Sequence, residues 1–182
     1  MREDLKRDNK SMDNLKIRPE ESKDYSEIDL VNNLAFKREN EAKLIRKIRE
    51  SDRYIPELSL VAKLDNKVVG HIMFSYIYLV AEEAIEVLAL APIAVLPEFQ
   101  NKGIGSLLVK TGLEIAEKIP ASIVIVLGEP KFYHRFGFKP AINYGIQSPF
   151  DVPDKYFMVR LVTYEERNYR GKIKYPATFD NV

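Results

Sequence analysis

The feature that most constrains this chain is the run Val95-Leu96-Pro97-Glu98-Phe99-Gln100-Asn101-Lys102-Gly103-Ile104-Gly105, where a β-like apolar segment, Leu88 to Val95, gives way to a helical pattern. Pro97 stops the strand, because proline offers no N–H to a ladder. Gln100 to Gly105 then read Gln-x-x-Gly-x-Gly. Glycines at a strand-to-helix turn let a ligand approach the main chain, since no Cβ stands in the way. The first helical turn leaves its amide N–H groups unpaired and carries the positive end of the helix dipole. Sequence alone thus specifies a seat for phosphate built from backbone. A glycine pair needed only for packing is the simpler alternative.

Two other phosphate loops do not fit. A P-loop ends in Gly-Lys-Ser/Thr, whereas here Lys102 precedes Gly103 and Ser106 follows Gly105. The dinucleotide fingerprint needs Gly-x-Gly-x-x-Gly, which is also missing.

Composition narrows the partners. The 182 residues fit one domain able to bury a sizeable core. With 28 basic and 27 acidic residues the net charge is +1, which gives no support to nucleic acid or an anionic membrane as partner. The chain has no cysteine, so disulfides, thiolate metal sites and cysteine nucleophiles are excluded. Its two histidines, His71 and His134, are too few for a histidine-rich metal centre, and no metal is expected. Residues 1–16 are strongly polar, with neither the apolar core of a signal peptide nor a membrane span. The expectation is a cytoplasmic protein with a polar N-terminal tail, 1–16, and a single domain over 17–182 that includes a polar C-terminal tail, 164–182.

Periodicity orders the elements. Ile17-Arg18 reads as a short strand. Ile28, Val31, Leu34 and Ala35 recur at helical spacing, with Asp24 and Glu27 as an expected capping box. A second helix spans Glu39 to Arg49 on a stripe of Leu44, Ile45 and Ile48. Leu58–Leu64 and Val68–Val80 form a hairpin about Asp65-Asn66-Lys67, and Ile85 to Leu96 follows as a strand. The glycine turn opens a helix to about Lys118, with Ile104, Leu107, Leu108 and Ile115 along one side and Val109 and Leu113 along another. Ala121–Leu127 is a β-branched run suited to a central strand. Pro130–Phe136 suggests a short helix, and Tyr156–Val162 a last strand. The expected fold is α/β, a mixed sheet with helices on both faces.

The glycine loop, the segment Leu127-Gly128-Glu129-Pro130-x-Phe-Tyr133-x-Arg-Phe-Gly137-Phe138 and the ending Gly171-x-Ile-x-Tyr-Pro-x-x-Phe179 resemble the GNAT acetyl-CoA-dependent N-acetyltransferases, in their bacterial YhbS-like branch. The resemblance runs from about Ile17 to Tyr175. It implies a mostly antiparallel, twisted GNAT sheet splayed between the fourth and fifth strands, and Pro92 inside the fourth strand agrees with an edge, a bulge or such a split. It implies that the main chain of Ile93, Ala94 and Val95 bonds the pantetheine arm of acetyl-CoA. Gln100, Asn101, Lys102, Gly103, Ile104, Gly105 and Ser106 would hold its diphosphate. Tyr133, five residues before Phe138, would donate to the leaving sulfur.

The expected reaction is attack of a primary amine, on a small molecule or a protein, at the thioester of acetyl-CoA. An amine of pKa ~10.4 is about one part in 2,500 neutral at pH 7, an obstacle near ~4.6 kcal/mol. Some family members use a glutamate on the fourth strand as base, but Val87 to Leu96 holds no ionisable side chain. Glu86, at the strand's start, is the candidate for a water-relayed base, against the simpler reading of a solvated carboxylate. His71 lies mid-strand and is expected in the core or on the surface; Tyr76 or Tyr78 would line an acceptor cleft, and Glu39 or Glu41 would attract a cationic amine. Expected partners are acetyl-CoA and an amine, with a homodimer as an option and neither nucleic acid nor membrane. The alternative function is a CoA-binding sensor or scaffold of the same fold without turnover.

Overall fold

The computed structural model describes residues 12, 14–121, 123–162 and 169–180. Most of the expected tail 1–16, and residues 163–168, 181 and 182, lie outside the described residues. Among the described residues, strands β1 (Lys16–Pro19), β2 (Tyr54–Leu64), β3 (Lys67–Val80), β4 (Ala84–Val95), β5 (Ile123–Leu127), β6 (Lys139–Pro140), β7 (Ile146–Gln147), β8 (Phe157–Leu161) and β9 (Gly171–Lys174) build one sheet. Its order is β1-β2-β3-β4-β5-β8-β6, with β9 beside β3 and β7 beside β9. The pairings are antiparallel except β4 with β5 and β7 with β9.

Helices α1 (Tyr25–Phe36), α2 (Asn40–Arg49), α3 (Ile104–Ala116) and the single turn α4 (Pro130–Tyr133) flank it. Gly70 marks the face under α3, since a Cβ there would meet Ile104 and Leu108 at 3.1 Å. Gly112 of α3 lies directly on the Phe74 ring of the same face, where an added Cβ would come within 2.4 Å. On the opposite face, Arg49 of α2 reaches His71 of β3 through Glu20. The two sides follow from the alternation of Gly70, Ile72 and Phe74 with His71 and Ser75.

The β2–β3 hairpin closes on Asp65 and Asn66, both left-handed at φ 48° and 68°, as a two-residue turn requires. The first helix is rotated from its expected setting. Ile28, Val31 and Asn32 face the sheet, while Leu34 is 45% exposed. Asn32 is tolerated there because its Nδ2 donates to the Ile28 carbonyl. Likewise Leu107 of α3 points out, and Val109, Gly112 and Leu113 pack inward with Ile104 and Leu108. The expected Asp24–Glu27 capping box is absent. Asp24 instead takes hydrogen bonds from Arg18, Lys63 and the Glu21 N–H, and Glu27 accepts from the Val68 N–H.

The C-terminal tail is more ordered than its polarity suggests. β9 pairs with Tyr78–Val80 of β3 along the stretch that β2 leaves free, and Lys47 of α2 donates to the Asp180 carbonyl.

Candidate active site

The site begins where β4 loses its neighbour. β4 and β5 pair only at Leu88–Val124 and Ala89–Ile125. Beyond Ala89 the peptide groups of β4 that face away from β3 open on a gap. On the β3 side the register passes from Ile72–Ile93 to Phe74–Leu90, so three steps of β4 oppose two of β3. Ala91 and Pro92 occupy this bulge, where the missing proline N–H costs the ladder nothing. Of the alternatives that Pro92 left open, the bulge is present on the β3 side, and on the other side β4 pairs with β5 only up to Ala89.

The gap leads into a cleft of about 600 Å³ lined by Ile93, Ala94, Val95, Phe99, Gln100, Asn101, Gly103, Ile104, Gly105, Ser106, Phe132 and Arg135. Its floor is the glycine loop. Asn101 is left-handed at φ 60° and Gly103 at φ 87°. Such residues turn successive N–H groups into a concavity. Asparagine is the side chain besides glycine that most readily accepts this conformation. The Gln100 side chain ties the loop to β4, donating to the Val95 carbonyl at 3.0 Å. Gly105 carries no strain; a Cβ there would sit 3.7 Å from Phe132, 3.8 Å from Val95 and 3.9 Å from Ile93. The missing side chain leaves the cleft open at this point.

Of the sequence-derived cofactor residues, the structure brings all but two to this cleft. Lys102 is at the rim, its Nζ 5.4 Å from the centre of the Phe99 ring. Tyr133 does not line the cleft. It is 6% exposed, edge-on to Phe132 and Phe138 at 4.9 and 5.6 Å. A Cβ on Gly128 would come within 2.3 Å of its ring, so the residue after β5 has to be small. This places Tyr133 on the β5 side of the gap, across from β4. Burial pushes its hydroxyl pKa up to about 12.

Glu86 is elsewhere. Its carboxylate pairs with Arg53 at 2.7 Å. It stands seven residues before Ile93, roughly 23 Å along the strand at ~3.3 Å per residue. Tyr78 lies beneath that same guanidinium, 5.2 Å from its ring centre, and Tyr76 is on the neighbouring stretch of β3. Neither lines this cofactor cleft, which is not the acceptor cleft they are expected to border. Glu39 and Glu41 form surface pairs with Lys43 and Arg38.

Arg135 was not singled out from sequence, and neither was the buried polar cluster around His71. In that cluster Glu20 accepts two hydrogen bonds from Arg49 and one from Tyr54. His71 Nε2 lies 3.3 Å from Glu20 and 3.1 Å from Ser59. A carboxylate only accepts, so Nε2 carries the proton and Nδ1 is bare. Burial opposes charge on Glu20, but the bonds from Arg49 and His71 outweigh it, and its pKa falls to about 2. For His71, burial outweighs the pull of Glu20, which Arg49 already neutralises, and its pKa is lowered.

Both shifts have a sign in stability. A depressed histidine pKa favours the neutral ring, so that contribution is complete above about pH 6.5 and is lost as pH falls. The share of Glu20 persists to lower pH, being lost between its ordinary 4.5 and about 2. The melting temperature should therefore fall between about pH 7 and about pH 5, and His71→Gln should flatten that slope. Thermal melts across this range check it; a flat wild-type profile would contradict the assignment.

Among the described residues no group of side chains is arranged to hold a metal ion, and no helix is long and apolar enough to cross a membrane.

Residues 18–138 match the acetyltransferase (GNAT) family. The chain is 34% identical over 156 residues to the uncharacterized N-acetyltransferase YjhQ of Escherichia coli K12, covering 83% of this chain and 86% of that one. The crystal structure of the Escherichia coli GNAT family N-acetyltransferase YhbS in complex with CoA superposes with a TM-score of 0.84 at 28% identity, over 92% of this chain and 93% of that one. A GNAT family acetyltransferase from Brucella melitensis in complex with acetyl-CoA gives 0.75 at 30% identity, over 91% and 98%. The chain belongs to the GNAT acetyltransferase family.

Proposed function

We propose that the protein transfers the acetyl group of acetyl-CoA to a primary amine by direct attack on the thioester. The observation that carries this reading is the continuity of the glycine loop with the β4–β5 gap, a phosphate seat leading into a slot for an extended arm. The CoA and acetyl-CoA complexes of the YhbS and Brucella relatives support it.

In this reading the N–H groups of residues 101–106 hold the diphosphate, with the Ser106 hydroxyl beside them. Gln100 and Lys102 shape and flank the seat. The outward peptide groups of Ile93, Ala94 and Val95 take the amides of the pantetheine arm, as a strand takes a neighbour. The thioester then lies deeper in the gap, between β4 and Tyr133. The amine nitrogen attacks the carbonyl carbon, and the oxygen gains negative charge. As the tetrahedral intermediate collapses, the C–S bond breaks and CoA departs as thiolate.

Tyr133 hydrogen-bonds that thiolate rather than protonating it. With its pKa near 12, giving the proton to a thiolate of ~8.5 is uphill by about 5 kcal/mol. The proton the amine loses goes to solvent. Glu86 is not needed as a base in this reading, and its carboxylate is engaged by Arg53. Rate enhancement comes from positioning and from polarising the carbonyl.

Incubation with acetyl-CoA and a panel of primary amines, read as free thiol released, tests the proposal. Release that depends on at least one amine is the expected result. CoA binding with no release for any amine would replace it with a sensor or scaffold role.

A further inference from the structure

We infer that Arg135 binds the 3′-phosphate on the ribose of CoA and so lets the protein distinguish CoA from dephospho-CoA. This rests on the CoA reading above and assigns a residue to the part of the cofactor that the backbone seat leaves unmatched.

Arg135 is the charged side chain among the residues lining the cleft. It forms no ion pair with a carboxylate among the described residues, unlike the nearby Arg160, which pairs with Glu117, and Lys110, which pairs with Glu114. It is nonetheless fixed. Its Nε donates to the Phe132 carbonyl at 3.0 Å, and its guanidinium lies over Phe132 and Phe136, 4.5 and 5.0 Å from the ring centres. Stacking on two rings and one backbone bond hold the group without neutralising it. Among the described residues no hydrogen bond engages Nη1 or Nη2, the edge that meets a phosphate through two bonds.

Position selects which phosphate. The Phe132 ring is the nearest neighbour of Gly105, and Arg135 lies on that ring. One aromatic ring therefore separates the guanidinium from the amide seat. In CoA one ribose separates the diphosphate from the 3′-phosphate. A diphosphate lodged on the amides of residues 101–106 puts the third phosphate beside Arg135. That monoester carries close to two negative charges near neutral pH, as other phosphomonoesters do, and a backbone seat already occupied offers it nothing. Lys102, the other cation at the mouth, is on the Phe99 side of the loop.

The test is the ratio of dissociation constants for dephospho-CoA and CoA, by titration calorimetry, in the whole protein and three variants. The unmodified protein should prefer CoA by about tenfold or more. Arg135→Ala should bring the ratio close to one by weakening CoA alone, and Arg135→Lys should restore part of it. Lys102→Ala should leave the ratio unchanged. Arg135 is exposed, so an unchanged melting temperature will show that Arg135→Ala folds. The assignment is overturned if the ratio survives Arg135→Ala, if both ligands weaken equally, or if Lys102→Ala erases it instead. Absence of binding of either ligand by the unmodified protein would mark failure of the CoA reading itself, and this assignment would go with it.

Discussion

Gly105→Val should abolish CoA binding while leaving the fold intact. The expected loss is at least about 100-fold in dissociation constant, or about 2.7 kcal/mol. The argument rests on what surrounds the missing side chain. A Cβ at Gly105 would find only ordinary van der Waals contacts, at 3.7 to 3.9 Å, with Phe132, Val95 and Ile93. The fold therefore accepts the Cβ, the thermal melt reads what the two γ-methyl groups add, and helix α3 exchanges glycine for a slightly better residue, worth a few tenths of a kcal/mol. Those same three side chains line the cleft, so the new branched group fills the space through which the ligand reaches the backbone. Calorimetry with CoA and a thermal melt on the same sample give the two readouts. Gly112→Val is the contrast: its Cβ would lie 2.4 Å from the Phe74 ring, and that variant should lose the fold first. If Gly105→Val binds CoA as the unmodified protein does, the phosphate seat is not at this loop.

The loop could be placed from sequence because its signals are local. A proline ends the strand, glycines allow the turn, and an apolar helical pattern begins within a few residues. Pro92 was informative for the same reason, since a proline inside a strand has few geometries open to it. What stayed hidden depends on contacts distant in sequence. Glu20, Arg49 and His71 meet only because β1, the end of α2 and β3 converge, and no spacing announces that. Arg135 stood in plain view beside Phe136, yet its place at the cleft follows from the packing of Phe132 against Gly105. β9 has four residues, too few for a periodic signal, and exists because β3 outruns β2. The capping box failed because Arg18 and Lys63 bid for Asp24 more strongly than the helix did. The ion pair of Glu86 was hidden for the same reason, since its Arg53 partner is 33 residues away.

Tyr133→Phe should lower the turnover number by about 10- to 100-fold, the cost of losing one hydrogen bond to a charged group, with the CoA dissociation constant almost unchanged. The affinity should hold because Tyr133 does not line the diphosphate end of the cleft, and because phenylalanine keeps the edge-on contacts with Phe132 and Phe138. Only the hydroxyl is lost, and in the proposed mechanism it matters only once charge builds on sulfur. The pH profile separates this role from true acid catalysis. With a pKa near 12, Tyr133 remains protonated across the working range, so the ratio of wild-type to variant rates should be constant from about pH 7 to about pH 10. A group that surrendered its proton near ~8.5 would instead make the ratio shrink as pH rose. Both enzymes should speed up with pH in parallel, because the neutral fraction of the amine grows tenfold per unit below its own pKa of ~10.4. A variant as fast as the unmodified enzyme would remove Tyr133 from the reaction and leave its buried ring as packing against Gly128.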